Sequence, residues 1–371
     1  MILIDSGHPV ISEHALGTWE SPNIAKNIIV FVGSGMSQAT VTAARTHKGG
    51  ENATFAFEKL KWSGNVRTYC VDSRVPDSAC ASTAFLTGVK SNLGTVAVHP
   101  TVKRGDCVAT NDKVKQLESI AKWALDAGRV VGFATTSRVT AGSNAALYAH
   151  SSDKDWENDA SVTAAGCNAS QVNDIAYQLI NGDVGKHFKV IFGGGRKNFI
   201  PNTETDASGA RGLRTDGKNL IQEWKESKTG NAVYITTNAR DTNILTGAGT
   251  SDRDSKPYLS LAYATGPSYD SYYQPNEGRV NPLAVLQATA TEKEQTCSAA
   301  VPMSEGVNGG EDASVYATGP WAFMLSGGYE QNFIAHAITF ASCITDVCGG
   351  ASSVVVSTAV LLLALAVRVF A

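Results

Sequence analysis

The order of apolar and amphipathic segments is the feature that most limits the fold of this chain. Continuous apolar runs, which are typical of buried strands, alternate with segments whose apolar residues recur at the spacing of a helix. The predicted strands are residues 27–32, 130–136, 189–192 and 232–236. The predicted helices are residues 36–45, 81–89, 113–127, 173–180 and 218–228. This alternation predicts an α/β fold with a largely parallel sheet, in which ligands bind at the carboxyl ends of the strands.

The length and charge of the chain narrow the range of functions. With 371 residues, it is long enough for one large domain or two ordinary ones. Its formal net charge of −3 gives no basic surplus to hold a phosphate backbone, so we expect no nucleic-acid partner. From Leu245 the composition changes, and residues 251–278 are rich in Tyr, Pro, Gly and Asp, which predicts loops or a small β region.

The C-terminal end has the pattern of a membrane-attachment signal. Residues 354–370 are almost all apolar, and residues 349–353 just before them are small. This order is typical of a GPI-lipid signal, whose apolar tail is removed, although a single-pass anchor and a buried tail stay open. The first twenty residues do not resemble a signal peptide, so for a cell-surface protein we expect the N-terminus to be incomplete. The sequons at Asn52 and Asn168 are compatible with a secreted glycoprotein.

The segment most relevant to chemistry surrounds Ser78. Asp77 and Ser78 precede a run of very small residues that is expected to open a helix. The amides at a helix N-terminus favour an anion, and small side chains let a phosphate group approach closely. Ser78 can act as a nucleophile there if a neighbouring group activates its hydroxyl. The residues alone also allow a plain N-cap role for Asp77 or Ser78.

Six blocks in order along residues 25–345 resemble the animal alkaline phosphatases. They are residues 27–45, 68–90, 135–150, 190–201, 212–224 and 309–323. The resemblance implies the fold of that family, an α/β three-layer sandwich around a largely parallel sheet, with a small crown-like region towards the C-terminus. It also implies a phosphate monoester hydrolase that is usually a homodimer and holds two Zn²⁺ ions and one Mg²⁺ ion.

The same resemblance assigns roles to individual residues. Ser78 matches the nucleophile, which binds a metal ion and becomes a phosphoserine during the reaction. Ser143 matches the hydroxyl ligand of Mg²⁺, and Lys154 stands where the family has the arginine that clamps the phosphate oxygens.

The resemblance also implies a disulfide pattern. Cys107 matches a partner of Cys167, and Cys343 matches a partner of Cys348. The remaining cysteines, Cys70, Cys80 and Cys297, have no pairing in that pattern. We therefore expect Cys80 to be a small buried thiol.

The chain departs from the family at several metal ligands. Ser34 replaces an aspartate that bridges two metal ions, and Asn308 replaces a histidine that binds zinc. Between Leu245 and Gly249 the chain lacks two core strands of the family, which carry most of the other ligands. None of the seven histidines forms a close metal-binding pair with a carboxylate, so we expect the binding of Zn²⁺ and Mg²⁺ to be lost.

These departures lead to a specific expectation about function. The chain is predicted to be an alkaline phosphatase relative that is inactive or severely impaired, with Lys154 giving charge but no bidentate grip. An active phosphatase with an incomplete gene model and a non-catalytic cell-surface glycoprotein are the alternatives. The predicted organisation is the N-terminal part of the family's α/β domain in residues 1–246, crown-like loops and the rest of that domain in 247–345, and a GPI-signal-like tail in 346–371.

Overall fold

A computed structural model of the chain describes residues 23–345, except for 51, 207–208, 229–234, 238–247, 251–256, 260–262, 267, 277, 283, 286–298 and 304–308. The α-helices are α1 (Gln38–Gly49), α2 (Ser78–Thr87), α3 (Ile120–Asp126), α4 (Gly142–Ala145), α5 (Asp159–Ala164), α6 (Ile175–Asn181), α7 (Leu220–Ser227), α8 (Tyr269–Tyr272) and α9 (Phe333–Ser342). The strands are β1 (Trp62–Arg67), β2 (Gly132–Arg138), β3 (Val190–Gly194), β4 (Ile235–Thr237), β5 (Ala248–Thr250), β6 (Pro257–Leu259), β7 (Tyr263–Gly266), β8 (Tyr273–Gln274), β9 (Gly278–Arg279), β10 (Ala299–Pro302), β11 (Ala313–Ala317) and β12 (Gly327–Glu330).

The described strands include two separate three-stranded sheets. In the first sheet, β2, β3 and β4 lie side by side and parallel, with Gly132 opposite Val190 and Phe192 opposite Ile235. In the second sheet, β1 pairs antiparallel with β11 and parallel with β12. The predicted α/β class with parallel strands is confirmed.

The main hydrophobic core joins the first sheet to the helices before and after its strands. Its buried members come from α2, α6, β3, α7 and the segments between them. They include Leu86, Val139, Ala145, Tyr148, Ile175, Leu179, Phe188, Ile191, Phe199, Leu220 and Trp224. This core therefore holds α2, the helix that begins at Ser78, in a fixed position relative to β2 and β3.

The glycine run at 193–195 makes a tight structural turn after β3. A Cβ atom at Gly193 would meet the Cγ1 atom of Val139 at 2.5 Å, so only glycine fits against that side chain. Gly195 has a φ of +92°, which favours glycine, and a 3₁₀ helix (Arg196–Asn198) follows. Packing and turn geometry explain this run without a phosphate ligand.

The predicted first strand at residues 27–32 is wrong. This run is in neither a helix nor a strand, and its side chains are exposed, with Ile29 78% and Phe31 93% exposed. A strand needs a neighbour for its backbone hydrogen bonds. Neither described three-stranded sheet includes this run, so its apolar pattern does not produce a strand.

The predicted helix at residues 113–127 is wrong over its first half. A 3₁₀ helix (Lys113–Lys115) is followed by extended chain, and α3 begins only at Ile120. The amide of Leu117 donates to the carbonyl of Ala97 at 2.9 Å, and the amide of His99 donates to Lys115 at 2.8 Å. These tertiary hydrogen bonds hold the chain extended and override its helical spacing.

The described parts of the region after residue 247 are small paired strands. β5 pairs with β6, β8 pairs with β9 and β7 pairs with β10. The rings of Tyr269 and Tyr273 stack at 5.3 Å. A small β region was predicted here, and the short helix α8 is an addition to it.

The described helices are all too short or too polar to cross a bilayer. The predicted attachment signal at residues 354–370 lies outside the described residues.

Candidate anion site at the start of helix α2

The site is built on the N-terminus of α2. Asp77 is the N-cap of this helix, and its Oδ1 atom accepts a hydrogen bond from the amide of Cys80 at 2.9 Å. The cap role that the sequence allowed for Asp77 is therefore confirmed. Ser78 is the first helical residue and is half-buried. Free amides of the first turn make this end of the helix favourable for an anion.

Lys154 brings a positive charge to the same end of α2. Its Nζ atom lies 4.0 Å from Oδ2 of Asp77 and 3.9 Å from Oδ1 of Asp155. The Oδ2 atom of Asp77 is buried and accepts no hydrogen bond. The amide of Lys154 donates to the carbonyl of Gly94 at 2.7 Å, which fixes the backbone of the lysine. The structure thus places Lys154 beside the residue that precedes Ser78.

A second cation supports Lys154, and sequence reasoning missed it. The Nε and Nη2 atoms of Arg104 donate to both carboxylate oxygens of Asp153, at 3.0 and 3.1 Å. Nη2 also donates to Oδ2 of Asp155 at 2.7 Å. The hydrogen bond to Asp153 raises the pKa of Arg104, so this guanidinium balances the two aspartates that flank Lys154. Asp153 and Asp155, on either side of Lys154 in the sequence, could have indicated that a second cation lies nearby.

Ser143 lies on α4, a short helix that packs against α2. The Oγ atom of Ser82 donates to the carbonyl of Gly142 at 2.7 Å. A Cβ atom at Gly142 would lie 3.0 Å from that of Ala79, so the two helices are in close contact. The helices that carry Ser78 and Ser143 are therefore neighbours.

The other predicted ligand replacements do not join this site. Ser34 lies in an exposed turn, and among the described residues it has no hydrogen bond or ion pair with Ser78, Ser143 or Lys154. The helix after this turn starts with Gln38, whose side-chain Nε2 atom donates to Oγ of Ser314 in β11 at 3.3 Å. Asn308 lies outside the described residues.

Two of the disulfide pairings that the resemblance implies involve described cysteines. Cys107 pairs with Cys167, as the resemblance implies. Cys343 is also disulfide-bonded, and its predicted partner Cys348 lies outside the described residues.

Cys80 is not a free thiol, because it forms a disulfide with Cys70. A turn that pairs Cys70 with Ser73 brings the chain back, so that the two Cα atoms lie 5.8 Å apart, within the usual range for a disulfide. Sequence reasoning missed this pair, since the pairing of cysteines cannot be deduced from the sequence alone.

The described residues at this site do not fit the metal ions that the family resemblance implies. Their only group of three metal-binding side chains is Cys70, Asp77 and Cys80. Both sulfurs of this group are held in the disulfide and offer no thiolate. A single carboxylate then remains beside Ser78, and Zn²⁺ sites in proteins require three or four ligands.

Two histidines have structural partners away from the site. The Nε2 atom of His150 lies 2.9 Å from the carbonyl of Leu117, and that of His336 lies 3.2 Å from the carbonyl of Gly88. Burial lowers the pKa of both imidazoles. Each imidazole therefore contacts a backbone carbonyl, His150 that of the segment before α3 and His336 that of the residue after α2.

Both sequons are accessible. Asn52 and Asn168 are exposed. The Oδ1 atom of Asn168 accepts hydrogen bonds from the amide and the hydroxyl of Ser170, at 2.9 and 2.7 Å. The attachment of glycans at these two residues stays a prediction.

The charge arrangement determines what the site can do chemically. A helix N-terminus and the ammonium of Lys154 can bind a tetrahedral anion such as a phosphate group. The hydroxyl of Ser78 is a weak nucleophile unless a base or a metal ion activates it. Among the described residues, the buried imidazoles of His150 and His336 contact backbone carbonyls away from Ser78 and do not take that role.

Comparison with known proteins places the chain in a family. The family model for alkaline phosphatase matches residues 25–240 and 231–344. The chain is 31% identical to the tissue-nonspecific isozyme of alkaline phosphatase from Gallus gallus, over 87% of this chain and 85% of that protein. It is 47% identical over 223 residues to the membrane-bound alkaline phosphatase of Bombyx mori, which is 58% of this chain and 40% of that protein.

A solved alkaline phosphatase, from the Antarctic bacterium TAB5, superposes with a TM-score of 0.47 at 15% identity, over 82% of this chain and 96% of that chain. A mutant of that bacterial enzyme holds Mg in its M3 site.

The alignments also contain an internal break. The alignment with the Gallus gallus protein extends over 457 positions, more than the 371 residues of this chain, so it includes gaps in this chain. The family model matches in two segments that meet at residues 231–240, close to the predicted missing segment at 245–249. By the match to the family model and to these relatives, the chain belongs to the alkaline phosphatase family.

Proposed function

We propose that this chain binds phosphate monoesters at Ser78 and has lost most or all of their hydrolysis. The observation that carries the proposal is the position of Lys154 beside Asp77, the N-cap that directly precedes Ser78, with no complete set of metal ligands among the described residues around them. The family supplies the substrate class. The cation beside the start of α2 supports binding of a phosphate group, whereas the incomplete set of metal ligands is the reason to expect little hydrolysis.

Magnitudes support this separation. Hydrolysis of a phosphate monoester is so slow without a catalyst that enzymes lower its barrier by more than about 20 kcal/mol. A helix N-terminus contributes about 0.3–1 kcal/mol to an anion, and one ammonium adds a single point charge. These interactions are sufficient for weak binding, and they are far too small for turnover.

The residues of the chain have distinct parts in the proposed binding. The first-turn amides of Ser78 and Ala79 and the ammonium of Lys154 contact the phosphate oxygens, whereas the amide of Cys80 is capped by Asp77. One carboxylate oxygen of Asp77 caps the helix by accepting from the amide of Cys80. Its other oxygen attracts the ammonium of Lys154 and orients it. Arg104 offsets the charge of Asp155, so that Lys154 is not neutralised by it.

The exposed 27–32 run favours a second candidate. This run contains five consecutive apolar residues that are exposed. A core strand would be left exposed in this way if the strands beside it were missing from the chain. A longer transcript that encodes the missing strands would then make an active metal-dependent phosphatase. Sequencing of transcripts across Leu245 to Gly249 tests this, and a longer reading frame there would favour the second candidate.

The proposed location is the outer cell surface, where the chain is a GPI-anchored, disulfide-bonded glycoprotein and a homodimer. The relative from Bombyx mori is named as membrane-bound. Release of the protein from cells by a phospholipase that cleaves GPI lipids tests the anchor. Retention on the membrane after that treatment would contradict it.

Titration of the purified chain with inorganic phosphate, followed by ³¹P NMR, tests the proposed binding. We expect saturable binding that is lost in Lys154→Ala and kept in Lys113→Ala, a matched change at an exposed lysine. Equal binding by the wild type and Lys154→Ala would contradict the proposed site. In metal analysis of the same samples we expect less than one zinc ion per chain.

A further inference from the structure

We infer that the Cys70–Cys80 disulfide is a positioning element for the anion site, an inference that rests on the proposed function. The bridge joins the chain just after β1 to the first turn of α2. Asp77 and Ser78 lie inside the loop that it closes. Both cysteines are 2% exposed, so the bridge lies beneath the site and not on the surface.

The covalent link reaches Asp77 through one hydrogen bond. Cys80 is bonded through its sulfur to Cys70, and its amide donates to Oδ1 of Asp77 at 2.9 Å. The other oxygen of Asp77 lies 4.0 Å from Nζ of Lys154. A shift of Cys80 would therefore move the cap, and with it the partner that orients the lysine.

The Cys70 end of the bridge is itself fixed. The amide of Cys70 donates to the carbonyl of Ser73 at 2.9 Å, and the amide of Val71 donates to the carbonyl of Ser91 at 3.0 Å. The carboxylate of Asp72 accepts from the amide of Leu93 at 2.7 Å. The bridge thus ties the first turn of α2 to a part of the chain that is held by three hydrogen bonds.

The short loop makes the positioning effective. The two cysteines are ten residues apart in sequence, and a short closed loop has few conformations available. The second disulfide, Cys107–Cys167, closes a separation of 60 residues and packs in a different cluster with Trp156, Val162 and Val172. That second bridge is a control, because neither of its cysteines lies in the loop that contains Asp77 and Ser78.

The test compares two double variants of the full chain, Cys70→Ser with Cys80→Ser and Cys107→Ser with Cys167→Ser. The readouts are the affinity for inorganic phosphate and the hydrogen exchange of the amides in residues 71–80. We expect the first variant to bind phosphate about tenfold more weakly and to exchange faster in this segment, since misplaced charges lose most of their contribution. The second variant is expected to have a lower melting temperature with wild-type phosphate affinity and wild-type exchange in 71–80.

Two results would overturn the inference. One is unchanged phosphate affinity and unchanged exchange in residues 71–80 after loss of Cys70–Cys80. The other is an equal loss of affinity in both double variants, which would indicate general destabilisation. If the serine variant fails to fold, the variant with Cys70→Ala and Cys80→Ala removes the bridge without burying a hydroxyl, and the same readouts apply. If the wild type binds no phosphate, the proposed function fails, whereas the exchange in 71–80 still decides the positioning.

Discussion

At the scale of single residues, the balance of charge around Lys154 decides how strongly the site can hold an anion. Its ammonium faces two carboxylates, Asp77 and Asp155, at 4.0 and 3.9 Å. These distances are at the limit of an ion pair, so the lysine keeps much of its capacity for another anion. A lysine gives a point charge, however, whereas an arginine gives two parallel donors that match a phosphate.

Restoring the guanidinium is therefore expected to strengthen binding. In Lys154→Arg we expect the affinity for inorganic phosphate to rise about three- to tenfold, because a bidentate charge-assisted contact replaces a single one. Isothermal titration of both proteins measures this. The same change at the exposed Lys113 is the control, and a gain of equal size there would contradict the assignment.

His150 makes stability depend on pH. Burial lowers the pKa of its imidazole in the folded state, so the unfolded chain binds more protons once the pH falls below about 6.5. The contribution of His150 to stability is full above that pH and declines as the pH falls. Urea unfolding between pH 7.5 and 5.0 measures the slope, which we expect to be shallower in His150→Gln. An equal change of slope in His99→Gln, whose imidazole is exposed, would contradict the role of His150.

Arg214 is the buried charge on which the described core depends most. Its side chain is 1% exposed and contacts Asp159, Asp174 and Asp216. Removal of this cation leaves three carboxylates without their partner, so we expect Arg214→Met to lower the free energy of unfolding by about 3–5 kcal/mol. Chemical denaturation measures the loss. Arg129→Met, at an exposed position, is expected to change little, and similar losses in both variants would contradict the role of the cluster.

At the scale of elements, residues 27–32 show the largest difference between the structure predicted from the sequence and the structure observed. Its composition is that of a buried strand, whereas its side chains are exposed. The pattern of a core strand persists in the sequence although the structure gives it no strand partner. An exposed apolar run of this kind is a site for aggregation.

The exposed state of this run gives a direct prediction. Phe31→Ser is expected to change the free energy of unfolding by less than about 0.5 kcal/mol and to raise solubility, because Phe31 is 93% exposed. In Phe199→Ser, at a fully buried position, a loss of about 3–5 kcal/mol is expected. Denaturation curves of both variants measure the difference. A loss of several kcal/mol in Phe31→Ser would mean that the run is a core strand after all.

Several elements could be predicted from the sequence because local rules determine them. The small residues after Asp77 predicted the start of α2, and the apolar spacing at 173–180 and 218–228 predicted α6 and α7 to within two or three residues. Other features depend on distant parts of the chain. The hydrogen bonds of Leu117 and His99 break the predicted helix at 113–127, and the pairing of Cys70 with Cys80 depends on a turn that local spacing does not specify.

At the scale of the whole molecule, the described residues place the proposed anion site at the start of α2, beside the main hydrophobic core. Two three-stranded sheets stand where the family resemblance implies one continuous sheet. The core around α2, α6 and α7 fixes the helix that begins at Ser78, and Lys154 lies 4.0 Å from the N-cap Asp77 of that helix. The family resemblance places most metal ligands on two strands that we expect this sequence to lack, so our proposal assigns the loss to turnover and not to binding.

The most direct measurement of this account is the hydrolysis of an aryl phosphate by the purified full chain at alkaline pH with added Zn²⁺ and Mg²⁺. The account predicts a rate no higher than that of Ser78→Ala measured in parallel, in a preparation that still binds inorganic phosphate. Rapid metal-dependent hydrolysis that disappears in Ser78→Ala and on chelation would contradict it.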